Sequence, residues 1–476
     1  MIKFLGVEEH RGAKELLEFN LDMLRILGIW KWDVPHWRFH RAFAFLTIIS
    51  LIVFNLTQIC DAYIYISSLD HLTKLLLSTV VTVLLAVKNI YLIIRSNEAC
   101  ELINQLQNKF FINKRQPTPE QTLILNRYAA RAKLYTIIRS NIALSIITFW
   151  VLYPVKEMLE EYVDKFDTPE YGIDIKSKSN KTTILHLPFV AYYPYDVPNN
   201  FLLFILTYLY QAFCGYSVFI GMSAWDMLFV SIFIHTSGHF KALQHALIHL
   251  SDEALGALQR DENQLKLHRL AEQTDTDARS VWTVGLNPQN HIEGEGTEND
   301  RGGMQAEMIK QKLEEKMQHI LNNCIEHHQA ILSFVMKLEA FLKPVMLLQL
   351  FVSMVAFCVI CFQMSMIQIH TDATKFVKLS VSLVSALIEQ GMFYWFGGKM
   401  LEESLKTLNA AYNCEWHTAN NKFRKHLHIL MERAKSPVKL TTGGFSTLTL
   451  ESFTKVVQSS YHYFTLLKAV HDEHSN

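Results

Sequence analysis

Histidines recur along residues 235–249 at spacings that a helix would gather onto one side. His235, His239, His245 and His249 fall within about 120° of a single face at 100° per residue. Neutral imidazoles four residues apart are common Zn²⁺ ligands, so this face could hold a metal. A packing face that happens to use histidine fits as well, because no cysteine or carboxylate partner stands at a matching spacing. The Glu326-His327-His328 cluster carries the same two readings. Among the seven cysteines only Cys358 and Cys361 stand close together, and they lie inside an apolar stretch; the set has no framework spacing and reads as buried thiols. Gly397-Gly398 and Gly443-Gly444 fit helix ends or close backbone contacts better than a phosphate loop. No constellation specifies an enzyme, a metal or a cofactor.

The most informative pattern is near the end of the chain. Glu451, Lys455, Gln458, His462 and Thr465 follow steps of four, three, four and three, within roughly 80° of helical arc. They belong to a span-length stretch over 447–470 that is unusually polar for a membrane helix. A charged group facing lipid is costly, so such a stripe must face protein or water. One chain supplies a single helix of this kind, and a water-filled path would need several copies around an axis. Packing against the protein's own polar base is the alternative for Glu451 and Lys455. Leu466, Ala469 and Val470 lie on or beside the stripe, where apolar side chains at a narrow point can gate by dewetting.

Other apolar runs carry scattered polar and aromatic groups. Ser78, Thr79, Ile146, Thr148, Trp150, Phe204, Tyr208, Ser382 and Ser385 would stand in the outer halves of four spans. An aromatic pocket with few hydrogen-bonding groups suits a small, mostly apolar ligand. The same residue types also fill ordinary helix–helix interfaces. Glu389 and Gln390 interrupt one span and Lys88 another; ionisable groups at such depth are functional candidates, although Lys88 could also snorkel to the interface.

The elements that must position these groups are membrane helices. Half of the 476 residues are hydrophobic and only 19% are charged, below the roughly 25% of soluble domains. Seven stretches reach or approach the length of about 20 residues that a bilayer demands: 43–66, 72–94, 134–155, 200–224, 341–367, 376–397 and 447–470. They exceed strand length and show no period of two, so the fold class is all-α, a seven-transmembrane-helix protein. Lys+Arg and Asp+Glu balance at 45 each, which gives no reason to expect a nucleic-acid partner.

Lys and Arg crowd the segment before 43, the loop after the second span and the loop after the sixth. The loop after span one holds none and the loop after span five only Lys375, which predicts a cytoplasmic N-terminus and an extracellular C-terminus. No cleavable leader is expected, since the opening residues are charged and lack an apolar core. Asn180-Lys181-Thr182, in an extracellular loop over 154–199, is a glycosylation acceptor. The remaining divisions are a cytoplasmic N-terminal segment 1–42, spans one to four within 43–225, and a cytoplasmic helical anchor 226–340. Polar residues 258–305 read as a disordered loop inside that anchor. Spans five and six lie within 341–397, a second cytoplasmic anchor segment covers 398–446, and span seven is 447–470. This topology is opposite to that of a G-protein-coupled receptor, and the broken helices and inverted repeats of a transporter are absent.

The C-terminal third resembles the insect odorant receptors. Glu402-Glu403-Ser404-Leu405 through Ala410-Ala411-Tyr412 to Trp416, and the run from Arg433 to Leu467, are similar to that family's pattern around its final helix. Stretches around Asp226 and His235, and around His327 and His328, agree as well, so the argued histidines fall inside family-like patterns. The resemblance implies a tetrameric, odorant-gated, non-selective cation channel with a pore lined by span seven and a gate at Leu466, Ala469 and Val470. It further implies an odorant pocket between spans two, three, four and six. The terminus SYHYFTLLKAVHDEHSN departs from that of the shared co-receptor, which implies a ligand-specific subunit partnered with it. The expected location is the plasma membrane of olfactory sensory neurons, on their dendrites. A gustatory-type channel of the same architecture is the alternative.

Overall fold

The structure is a computed structural model; it describes residues 17–30, 37–66, 68–108, 110, 117–167, 186–197, 200–280, 298–367 and 373–475. Eleven α-helices account for nearly all of it: α1 Glu18–Ile26, α2 Trp37–Ile64, α3 Leu69–Ile94, α4 Ser96–Asn108, α5 Pro119–Asp167, α6 Phe201–Ile248, α7 Leu250–Ser280, α8 Glu298–Met366, α9 Ala373–Tyr412, α10 Asn421–Ala434 and α11 Leu450–Ser475. Short polar side chains start several of them. The Asn200 carboxamide oxygen accepts from the backbone N–H groups of Leu202 and Leu203, and Asn420 does the same for Phe423. Such caps satisfy amides that have no partner inside the helix.

Among the described residues, six helices are long and apolar enough to cross a bilayer by length and composition: α2, α3, α5, α6, α8 and α9. The seventh expected span, α11, has the length at 26 residues, but its polar stripe dilutes its hydropathy. The described chain is therefore all-α apart from one small hairpin, with a set of spanning helices that continue into a packed base.

Helix α6 is the mast of the molecule. Every residue from Gly221 to Phe240 is buried, and α1, α2, α3, α5, α8 and α9 all pack against the helix. A helix apolar all round is stable only when surrounded on every side. One large core runs from Trp225 and Phe229 to the helices of the base, including Phe334 and Phe341 of α8, Met400 of α9 and Phe423 of α10. A smaller core of Leu51, Phe54, Leu84, Leu85, Cys214, Val218 and Met222 closes the opposite end.

Helix α2 shows the reverse of soluble amphipathicity. Phe45, Ile49, Ile52, Leu56 and Ile59 recur on its exposed side, while Thr47, Asn55, Gln58 and Asp61 are buried. The inward polar groups bond to α3: Thr82 donates to Asn55 at 2.8 Å, Gln58 donates to Ser78 at 2.6 Å, and Thr79 donates to Gln58 at 3.0 Å. Lipid is as apolar as the core, so polar side chains serve as the glue between such helices.

Three boundaries differ from the sequence reading. Residues 258–280 are helical, as part of α7, and 298–305 belong to α8; 281–297 lie outside the described residues. The segment is polar, but Glu, Gln, Leu, Lys, Arg and Ala are good helix formers, and α7 packs on α8 with an Asp261–Lys316 ion pair at 2.7 Å. The expected loop at 154–199 begins late, because α5 continues through Pro154 to Asp167. Asn180 lies outside the described residues.

Before α11 the chain makes a two-stranded antiparallel hairpin, β1 Thr441–Thr442 and β2 Ser446–Thr447. Gly443 and Gly444 turn it in the left-handed region, which glycine adopts without a Cβ penalty. Helix α11 then lies along α8 and α9. Val456 and Ser460 are buried beneath it, and the Phe453 ring meets Tyr394 of α9 at 5.6 Å.

Candidate functional site: an aromatic end, a charged middle and an exposed polar helix

The described residues of the segment after α5 fold back over one end of the bundle. Phe189 enters between helices, where its ring stacks on Trp150 of α5 at 6.1 Å and meets Phe54 of α2 edge-on at 5.8 Å. Both its backbone groups are held by one side chain, since the Phe189 N–H donates to the Gln211 carboxamide oxygen and its carbonyl accepts from Gln211 Nε2. Gln211 Nε2 also donates to the Tyr193 hydroxyl at 3.0 Å. Burial pushes that hydroxyl up to about 12, so Tyr193 stays protonated and neutral.

Several expected pocket residues gather around these rings. Phe204 and Tyr208 of α6 pair at 5.8 Å, and the Tyr208 hydroxyl donates to the Val151 carbonyl of α5. Thr148 lies 3.1 Å from the Tyr216 hydroxyl, and Ile146 is buried on the same helix. Lys378 of α9 reaches over the Trp150 ring at 3.9 Å and Tyr153 at 5.0 Å. Ser382 and Ser385 are half-buried one and two turns further along α9, and the Ser382 hydroxyl donates to its own helix at the Lys378 carbonyl. Ser78 and Thr79 point elsewhere: both hydroxyls are taken up with Gln58 in the α2–α3 seam. Sequence reading missed Phe189 and Lys378, because nothing in a loop or at a span end marks which side chain turns inward.

Between this end and the base lies a buried set of four charges. Lys88 of α3 donates to Asp226 of α6 at 2.6 Å and lies 4.8 Å from the Trp225 ring. Arg139 of α5 donates to Glu389 of α9 at 2.7 Å, and Gln349 of α8 donates to the other Glu389 oxygen at 3.4 Å. Glu389 acts on Asp226 electrostatically. The two ion pairs thus link α3 to α6 and α5 to α9, and the field of Glu389 at Asp226 couples them. Lys88 is fully buried and does not snorkel. Its depth in the bundle and its proximity to Asp226 explain the difference.

The histidine face of α6 divides. His235 and His239 are buried, and His239 Nδ1 lies 3.4 Å from His327 Nε2 with the Phe110 ring beside both. His245 and His249 stack on each other at 4.5 Å near the end of the helix. Among the described residues no three His, Cys, Asp or Glu side chains are placed to hold a metal.

On α11 the exposed and buried sides separate cleanly. Glu451, Lys455, Gln458, His462 and Thr465 are all exposed, as are Leu466, Ala469 and Val470, while Val456 and Ser460 are buried.

The family model described as 7tm odorant receptor matches residues 68–461. This chain belongs to the odorant receptor family. Odorant receptor 13a of Drosophila melanogaster is 23% identical to it over 409 residues, covering 83% of this chain and 79% of that one. An odorant receptor coreceptor of Anopheles gambiae is 20% identical over 362 residues, 71% of this receptor and 73% of the relative. Among solved structures, the insect olfactory receptor OR5 from Machilis hrabei in complex with eugenol superposes with a TM-score of 0.70. It shares 16% identity and covers 96% of the receptor and 98% of its own chain, so the whole helical architecture is common to the two.

Proposed function

We propose that this receptor is a ligand-specific subunit that joins a co-receptor in a hetero-oligomer, a tetramer, and opens a cation path when a small volatile molecule binds. The membrane is the plasma membrane of the sensory dendrite, with the N-terminus in the cytoplasm and the C-terminus outside. The observation that carries the reading is the one-sided exposure of α11. A single chain has no reason to turn five polar side chains away from its own bundle, and lipid cannot receive them. Several copies around an axis give that face water, and Leu466 with Ala469 and Val470 then forms an apolar constriction.

Cysteine substitution along α11 tests this against a parent receptor that keeps its native thiols. Cysteines at 462, 465 and 469 are expected to react with a small thiol reagent and alter current, and those at 460 and 464 to react slowly. Leu466→Ser is expected to raise ligand-independent current by easing dewetting. Uniform reactivity around the helix with an unchanged Leu466→Ser current would move the permeation path elsewhere.

The ligand pocket is the aromatic end, lined by Ile146, Thr148, Trp150, Phe204, Tyr208, Ser382 and Ser385. Removing one ring forfeits buried apolar contact of about 25 cal/mol per Å². Trp150→Ala or Tyr208→Ala should therefore raise half-maximal ligand concentrations about tenfold or more at unchanged surface expression. Unaltered tuning in both variants would count against the site.

A further inference from the structure

Lys378 enters the aromatic end about one and a half turns into α9, and its contacts there are ring faces. Its ammonium lies over Trp150 and Tyr153, and among the described residues no carboxylate or carbonyl oxygen bonds to it. Glu157 on α5 acts on it electrostatically without a hydrogen bond. The indole Nε1–H of Trp150 is buried and likewise has no partner. Neighbouring hydroxyls are already engaged: Tyr208 donates to Val151, Thr148 pairs with Tyr216, and Ser382 donates to its own helix.

Two donors without a hydrogen-bond acceptor among the described residues thus lie at one ring, the ammonium over the face of Trp150 and the indole N–H at its edge. A ring face attracts an ammonium but does not replace a hydrogen bond, and a buried donor without a partner is costly. A ligand that brings an oxygen acceptor into this place relieves the deficit, and a hydrocarbon does not. We propose that Lys378 is a specificity-determining residue that donates a hydrogen bond to a carbonyl-type oxygen of the odorant. The ligand's apolar body then lies against Trp150 and Phe189. The inference rests on the pocket reading above and adds the chemical class of the ligand.

The test co-expresses the full receptor with its co-receptor and records currents to matched series of alkanes, alkenes, aldehydes, methyl esters and carboxylates. Agonists are expected among the carbonyl-bearing series. Lys378→Met keeps an unbranched stem over Trp150 and removes the donor. It should raise half-maximal concentrations of those agonists about tenfold, with hydrocarbon responses and surface expression unchanged. Lys378→Arg keeps a donor and should stay near the parent. A loss confined to carboxylates supports the proposal and narrows the class to anions.

A parent receptor silent to every carbonyl series overturns the proposal. So does a Lys378→Met receptor at normal surface level whose carbonyl responses are unchanged, or whose hydrocarbon and carbonyl responses fall together. Trp150→Ala separates the two levels. If Trp150→Ala weakens all responses while Lys378→Met changes none, the pocket stands and the role of Lys378 fails. If Trp150→Ala changes nothing, the pocket itself is misplaced.

Discussion

Lys88→Met is expected to leave little folded receptor at the cell surface. Methionine fills nearly the same volume, so the loss is not one of packing. It leaves the buried Asp226 carboxyl without its Lys88 partner and in the field of Glu389. Removing one partner of a buried ion pair costs about 3–5 kcal/mol, a large share of a typical folding stability. Asp226→Leu should be comparably damaging, because it strands the fully buried Lys88 ammonium. The double variant Lys88→Met/Asp226→Leu should recover much of the stability lost by either change, since no unpaired charge then remains. Thermal unfolding of the solubilised receptor, followed by size-exclusion chromatography, measures all three. Strictly additive losses in the double variant would show that the pair is no energetic unit. The same network joins α5 and α9, which carry the aromatic end, to α6, which carries the base. Stable variants with altered coupling would therefore affect current as well as folding.

Gly397→Val is expected to dislodge α11 from its seat. A Cβ at Gly397 would lie 2.8 Å from Leu448 Cβ and 3.3 Å from the Leu448 carbonyl oxygen. Leu448 has no room to yield, because it is buried and its N–H is held by the Leu440 carbonyl across the hairpin at 2.9 Å. Overpacking of this kind costs about 1–3 kcal/mol, and a branched side chain falls at the upper end. Alanine places the same Cβ against Leu448, and the helix propensity it returns, up to about 1 kcal/mol, offsets that clash only in part, so Gly397→Ala should be destabilised as well, by less than Gly397→Val. Gly398→Ala is the control: its Cβ would meet the Leu448 oxygen at 3.6 Å and Thr449 Cα at 3.7 Å, ordinary contact distances. It should be neutral or slightly stabilising. Equal unfolding temperatures for Gly397→Val and Gly398→Ala would refute the argument. Since α11 is the proposed pore helix, Gly397→Ala, the milder of the two Gly397 variants, is the one in which to look for altered current.

Both expectations concern contacts that a linear reading sees from one side only. Lys88 and Glu389 stand out in sequence because charge is rare in an apolar run. Their partners do not, since Asp226 is 138 residues from Lys88 and Arg139 is 250 from Glu389. Ser78 and Thr79 fit both a ligand pocket and helix glue by residue type, and the position of Gln58 is what places their hydroxyls in the seam with α2. Phe189 and Lys378 escaped notice for the complementary reason. A phenylalanine in a loop and a lysine near a span end are ordinary in composition, and the role proposed for them lies in the direction each side chain takes.

The order of residues is enough to specify the membrane-helix architecture, because bilayer thickness sets the length of an apolar run and lipid leaves the backbone no partner but itself. It also determined the one-sided polarity of α11, which is a matter of period alone. Tertiary structure decided which inward-facing groups meet. Such pairings depend on helix rotation and depth, both set by contacts distant in the chain. The two carboxylates among two cations, the rings over Lys378 and the glycine under Leu448 became visible only once the helices were packed.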